Sequence, residues 1–174
     1  TTMRGQRYCP IYNANYSFNI KIITAMKHYI ETKVKYSKTM EDGLQKTVTE
    51  PYLVDAMSFT EAEQRITDEI TPYMSGDFSV SAVKKSNISE VFWSDAGDDD
   101  KWFKVKVNFV TLNEKTMQEK RSASYILVQA CGIHAALKHF DERMKGTVSD
   151  YEVAAVTETA IVEVYEAKYH TADE

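Results

Sequence analysis

Very little in this chain suits covalent stapling, membrane insertion or the grip of duplex DNA. Of its 174 residues only Cys9 and Cys131 are cysteines. They form no metal-ligand spacing and no disulfide framework, which points to a reduced, cytoplasmic setting. No apolar run approaches the roughly 18 to 20 residues of a membrane-spanning helix, so no membrane is expected as a partner. A basic surplus is missing as well. The formal net charge is −5, whereas a general double-stranded DNA binder needs excess lysine and arginine to neutralise phosphates. None of the six glycines builds a phosphate-cradling loop, and neither a nucleophile elbow nor a zinc motif occurs. The chain is therefore read as non-enzymatic, with no cofactor and no metal.

What is present is a pattern written twice. A strand–strand–helix–strand order runs from His28 to Trp93 and again from Lys101 to Tyr165, displaced by 73 to 74 positions. Lys33-Val34-Lys35-Tyr36 matches Lys106-Val107-Asn108-Phe109, Tyr52 matches Tyr125, and, with the shift from 73 to 74 just after Tyr52, Leu53-Val54-Asp55-Ala56 matches Leu127-Val128-Gln129-Ala130. Asp77-Phe78-Ser79-Val80 matches Asp150-Tyr151-Glu152-Val153, and Ile88 to Phe92 matches Ile161 to Tyr165. Each copy is too short to bury much core alone. The repeats, residues 27–94 and 101–167, are thus expected to form one pseudo-twofold domain over 26–168. Residues 1–25 lie outside the repeat and read as an N-terminal extension that is not native, the native start being Met26, or else as an arm docked on a neighbouring subunit. Residues 169–174 read as a frayed tail.

Period-two alternation places Ile30, Val34 and Tyr36 on one face, and Phe103, Val105, Val107 and Phe109 on its counterpart, as in strands covered on one side. Asp42-Gly43 marks a hairpin turn, for which the second copy must use a different loop. Pro51 places its strand at an edge or bulge, and the extra Ile126 suggests a bulge nearby. Ser58 and Glu61 form a capping box. The first helix then buries Ala62, Ile66, Ile70 and Tyr73 and stops at Gly76; the second buries Ile133, Ala136, Leu137, Phe140 and Met144 and stops at Gly146. The fold class is α+β: mainly antiparallel sheet, continuous or divided in two, with both helices packed on it.

The stretches Thr49 to Glu63 and Lys101-Trp102-Phe103-Lys104-Val105-Lys106 resemble the domain-of-unknown-function family 4494, and the resemblance covers about Met26 to Tyr165. It implies a setting in Bacteroidetes bacteria, their phages or mobile elements, and a native start at Met26. No catalytic residue follows from it.

Candidate chemistry is sparse. His134 and His139 are five apart on one helix, which does not align them as metal ligands. Cys131 reads as a buried small residue at a strand-to-helix corner rather than a nucleophile. Asp95 to Asp100 lacks calcium-loop spacing, and Asp98, Asp99 and Asp100 read as a solvated linker. One constellation remains. Tyr29, Glu31, Lys33 and Lys35 alternate with the core set of the first copy, and Trp102, Lys104, Lys106 and Asn108 occupy the matching places in the second. If that face is open, its aromatic anchors suit a protein partner or a homo-oligomer. Alternatively the rings stack bases of single-stranded nucleic acid while the lysines follow phosphates. A third reading is a small anionic ligand held where the two halves meet.

Overall fold

The computed structural model describes residues 27–147 and 149–167; the expectations for residues 1–25 and 169–174 lie outside them. The first half runs β1 (Tyr29–Thr39), β2 (Gln45–Asp55), α1 (Phe59–Ile70), β3 (Phe78–Lys85) and β4 (Ile88–Phe92). The second runs β5 (Lys101–Asn113), β6 (Gln118–Ala130), α2 (Ile133–Met144), β7 (Asp150–Glu158) and β8 (Val164–Tyr165).

These strands form two four-stranded sheets, ordered β3-β1-β2-β8 and β4-β6-β5-β7. The last strand of each half leaves its own sheet. β8 pairs in parallel with β2, and β4 in parallel with β6, while every other pairing is antiparallel. Both crossings use the same hydrogen bond: Ser86 N–H donates to the Tyr29 carbonyl, and Thr159 N–H to the Trp102 carbonyl.

Three apolar clusters follow from the alternation. Ile30, Val34, Tyr52 and Val54 pack with Ala62, Ile66 and Ile70 of α1. Phe103, Val105, Val107 and Val128 pack with Ala136, Phe140 and Met144 of α2. The opposite faces meet in a middle cluster of Tyr29, Leu53, Ile88, Val91, Trp102, Leu127 and Val164. The layers are therefore helix, sheet, sheet, helix. At the inner ends of β2 and β6 both faces are covered, and Tyr52–Asp55 and Ile126–Ala130 are continuously buried.

Several local expectations need correction. The β1–β2 and β5–β6 ladders run without a shift through Pro51 and Ile126. The extra residue is absorbed at the hairpin tips, where Thr39↔Gln45 closes the first ladder and Asn113↔Gln118 the second. A turn accepts an insertion without moving side chains to the wrong face. By register, Thr32↔Tyr52 corresponds to Val105↔Ile126, so Ile126 rather than Tyr125 matches Tyr52. Bulges do occur, opposite Lys33/Val34 and Lys106/Val107, where Ser81 of β3 and Ala154 of β7 are the extra residues. Pro51 is tolerated because β8 pairs only with Leu53 and Val54. Its carbonyl accepts Val162 N–H at 2.9 Å, and its missing donor falls beyond the ladder.

Ser58 Oγ accepts Glu61 N–H at 3.1 Å, and Glu61 Oε2 accepts Met57 N–H at 2.9 Å; the capping box thus closes on Met57. Tyr73 lies past α1 in a 3-10 turn led by Pro72, and is exposed. That turn, rather than Gly76, ends the helix. In α2 the buried residues are Ala136, Phe140 and Met144, and Ile133 is exposed. Gly146 ends that segment with φ +90°, where a side chain would be strained.

Because each half lacks the strand that completes its sheet, neither should fold alone. Chains 27–96 and 97–167, expressed separately, are expected to be unfolded by circular dichroism and to regain β-sheet signal on equimolar mixing. Cooperative unfolding of either half by itself would contradict this account.

Candidate functional site between the sheets

The structure separates the expected site residues into two groups. Tyr29 and Trp102 are 2% and 1% exposed, within the middle cluster. Trp102 meets Trp93 edge-on, with ring centres 5.0 Å apart. Tyr29 Oη donates to Glu166 Oε1 at 3.2 Å, and Lys27 Nζ holds the same oxygen at 2.8 Å. Burial, with Glu166 and Asp55 nearby, pushes the Tyr29 phenol well above its ordinary range. The sheet face is therefore closed at its aromatic end, which corrects the expectation of an open surface there. These two rings are not accessible to a base, because both are buried in the middle cluster.

Outward from that core the facing positions turn polar. Lys33, Lys104, Lys106 and Asn108 are half-buried and Lys35 is exposed. Lys33 and Lys104 line one cleft of about 350 Å³ between the sheets. Lys35, Lys106 and Asn108 continue along the same strand faces but do not line it. The cleft floor comes from the two crossing segments: Ser86, Asn87 and Ile88 from the first half, Thr159, Ala160 and Ile161 from the second. Sequence reading missed these residues. Their signal is positional, since Ser86 and Thr159 stand 73 apart at the joints between repeat strands.

The carboxylates of the cleft are already engaged. Glu31 pairs with Lys84 at 3.0 Å, and Glu158 with Lys101 at 3.3 Å. Lys104 Nζ lies 5.7 Å from the centre of the Tyr125 ring. Among the described residues, neither Lys33 nor Lys104 has a carboxylate partner.

A second polar locus joins the linker to α2. Asp99, expected in solvent, is 6% exposed. Its Oδ1 accepts Cys131 N–H at 2.7 Å, and its Oδ2 accepts the Ser94 hydroxyl. His139 Nδ1 is 3.6 Å from Oδ2 and 3.1 Å from the Gln129 carbonyl. Burial alone would raise the Asp99 carboxyl. The Ser94 hydroxyl and Cys131 N–H outweigh it and, with His139, hold the carboxyl below its ordinary range. Cys131 is exposed, not buried. Asp99 binds the main chain beside it, so this carboxylate anchors the linker to the start of α2. Among the described residues no three acidic, histidine or cysteine side chains are grouped to hold a metal. No described helix is long and apolar enough to cross a membrane.

Two stability effects follow. Trp102→Ala should cost about 3–5 kcal/mol in urea unfolding, the range for emptying a large aromatic site in a core. Asp99→Ala should cost about 1–3 kcal/mol by leaving the Cys131 donor unpaired. Because the Asp99 carboxyl sits low when folded, its contribution is complete above the ordinary aspartate range near ~4 and is lost as pH falls through and below it. The parent should therefore lose more stability than Asp99→Ala between neutral and strongly acid pH, as measured by urea midpoints; parallel pH profiles would show that Asp99 contributes nothing.

No curated protein and no solved structure matches the chain. Residues 28–167, which carry both sheets, both helices and the cleft, match the family described as Domain of unknown function (DUF4494), and the chain belongs to that family.

Proposed function

We propose that this is a non-enzymatic interaction protein that grips a protein partner with its two hairpin arms, the partner being a host or phage protein or a second copy of the chain. The observation that carries this reading is a duplicated apolar tip. The β1–β2 and β5–β6 hairpins extend past the clusters that cover their inner ends, and their outer residues are exposed. Leu44 at one tip and Met117 at the other are 67% and 73% exposed and stand 73 positions apart. Met40 and Leu112 add a second exposed apolar side chain to each tip.

Scattered exposed apolar residues are ordinary; their recurrence at equivalent turns of both repeats is the argument. Turn residues tolerate polar substitution freely, so large apolar side chains there gain nothing for the fold. Gly43 takes φ +80° in the first turn and Met117 takes φ +53° in the second. The second value is costly for a residue with a long side chain. A paired apolar tip on each arm offers two small anchors that a partner surface can bury together.

Photo-crosslinking from positions 44 and 117 in the natural host tests this. Both positions should give the same discrete adduct, whereas exposed position 63 on α1 should give none. An adduct of twice the chain mass identifies self-association, and a different mass identifies a heterologous partner. Only diffuse background from both tips would refute the reading.

A further inference from the structure

We infer that the cleft between the sheets is a binding site for a small oxyanion-bearing molecule, a phosphate ester or dicarboxylic acid, held between Lys33 and Lys104. This is independent of the hairpin tips.

Several hydrogen-bonding groups of the cleft are already engaged within the fold. Glu31 and Glu158 line the cleft, but Lys84 and Lys101 already satisfy them. The Thr159 hydroxyl donates to the Trp102 carbonyl at 2.8 Å, so its proton is committed. The remaining polar lining residues carry donors: Lys33, Lys104, Thr157 and Asn87, the Lys104 ammonium lying 5.7 Å from the centre of the Tyr125 ring. Ser86 Oγ accepts Ile88 N–H at 3.2 Å, which leaves its own proton free to donate. The lining thus holds two lysines and two glutamates, and each glutamate is paired with a lysine outside the cleft.

The two lysines come from different sheets, Lys33 from β1 and Lys104 from β5. Both line the same cleft, and an anion held between them would be attracted to each. Lysine serves such a ligand as a compact point charge with three donors. Pro51, Ile88 and Ile161 supply an apolar wall, which suits the carbon skeleton of a small organic anion. The size of the cleft, about 350 Å³, lies at the lower end of small-molecule sites. Sequence equivalence adds a further point. Position 31 is Glu where its counterpart 104 is Lys, so the charge of this cleft is not a by-product of the repeat.

Both crossing segments line the cleft, so ligand binding would tie the two halves together and stabilise the folded state by mass action. The test is a titration of the full chain with inorganic phosphate and, separately, with succinate, followed by amide chemical shifts. Saturable shifts at residues 86–88 and 157–161 are expected with at least one of the two probes. Phosphate alone would identify a phosphate-ester site, succinate alone a dicarboxylate site, and both a general oxyanion site. Each of Lys33→Ala and Lys104→Ala should weaken binding about tenfold, the loss of one charge-assisted hydrogen bond, and the double variant should abolish it. Lys38→Ala, on the exposed arm, should leave it unchanged. Among the described residues neither cleft lysine side chain has a carboxylate partner, so the variants should keep the parent amide spectrum. The proposal is overturned by an absence of saturable shifts with either probe, or by binding that survives in the double variant or falls in Lys38→Ala.

Discussion

Each sheet of this protein is completed by a strand that belongs to the other half. β8 lies against β2 and β4 against β6, and the remaining architecture depends on that exchange. A strand that crosses between sheets must carry its apolar residues with it. Ile88 and Val91 therefore join Trp102 and Leu127 in the middle cluster, and Val164 joins Leu53 and Tyr29. Burial of each large apolar side chain contributes roughly 1.5–3 kcal/mol. The middle layer therefore packs side chains of the two repeats against each other. The linker itself is drawn in by Asp99, whose carboxylate satisfies the Cys131 main chain beside α2.

The exchange also shapes the cleft between the sheets. Crossing segments must pass from one sheet to the other, and where they do so the sheets cannot close. The Tyr29 and Trp102 carbonyls take the Ser86 and Thr159 amides at those points, which leaves the neighbouring side chains facing an accessible space. Farther out, the hairpin residues are exposed, and among the described residues no helix or opposite sheet covers them. Closed core, cleft and free arms thus follow one another along the same strands, as covering layers are progressively withdrawn.

Some errors of sequence reading have identifiable causes. The one-residue shift between repeats was assigned to the strand after Tyr52, because identical residues at 52 and 125 invite alignment there. Backbone pairing places the extra residue at the turn, where an insertion leaves the facing of every side chain intact. Cys131 was expected to be buried by its composition class and Asp99 exposed by its run of neighbours. Their positions are reversed because a carboxylate near an unpaired strand-end amide is worth more inside than a small thiol. The capping box, the buried stripes of Ala62, Ile66 and Ile70 and of Ala136, Phe140 and Met144, and the hairpin turn at Gly43 were all legible, because each depends on residues within one turn of chain.

By itself the sequence determined the α+β class, the duplication, the family resemblance and which side chains share a face. Trp102, Lys104, Lys106 and Asn108 do lie on one side of β5, since pleating imposes a period of two whatever surrounds the strand. Only the tertiary structure decided what that side meets. Its aromatic end is sealed against the other sheet, its Lys104 position borders a cleft, and its outer end is uncovered. The physical reason is range: facing is set by adjacent peptide units, whereas covering depends on strands of the other repeat, whose crossing between sheets leaves no local trace in composition or periodicity.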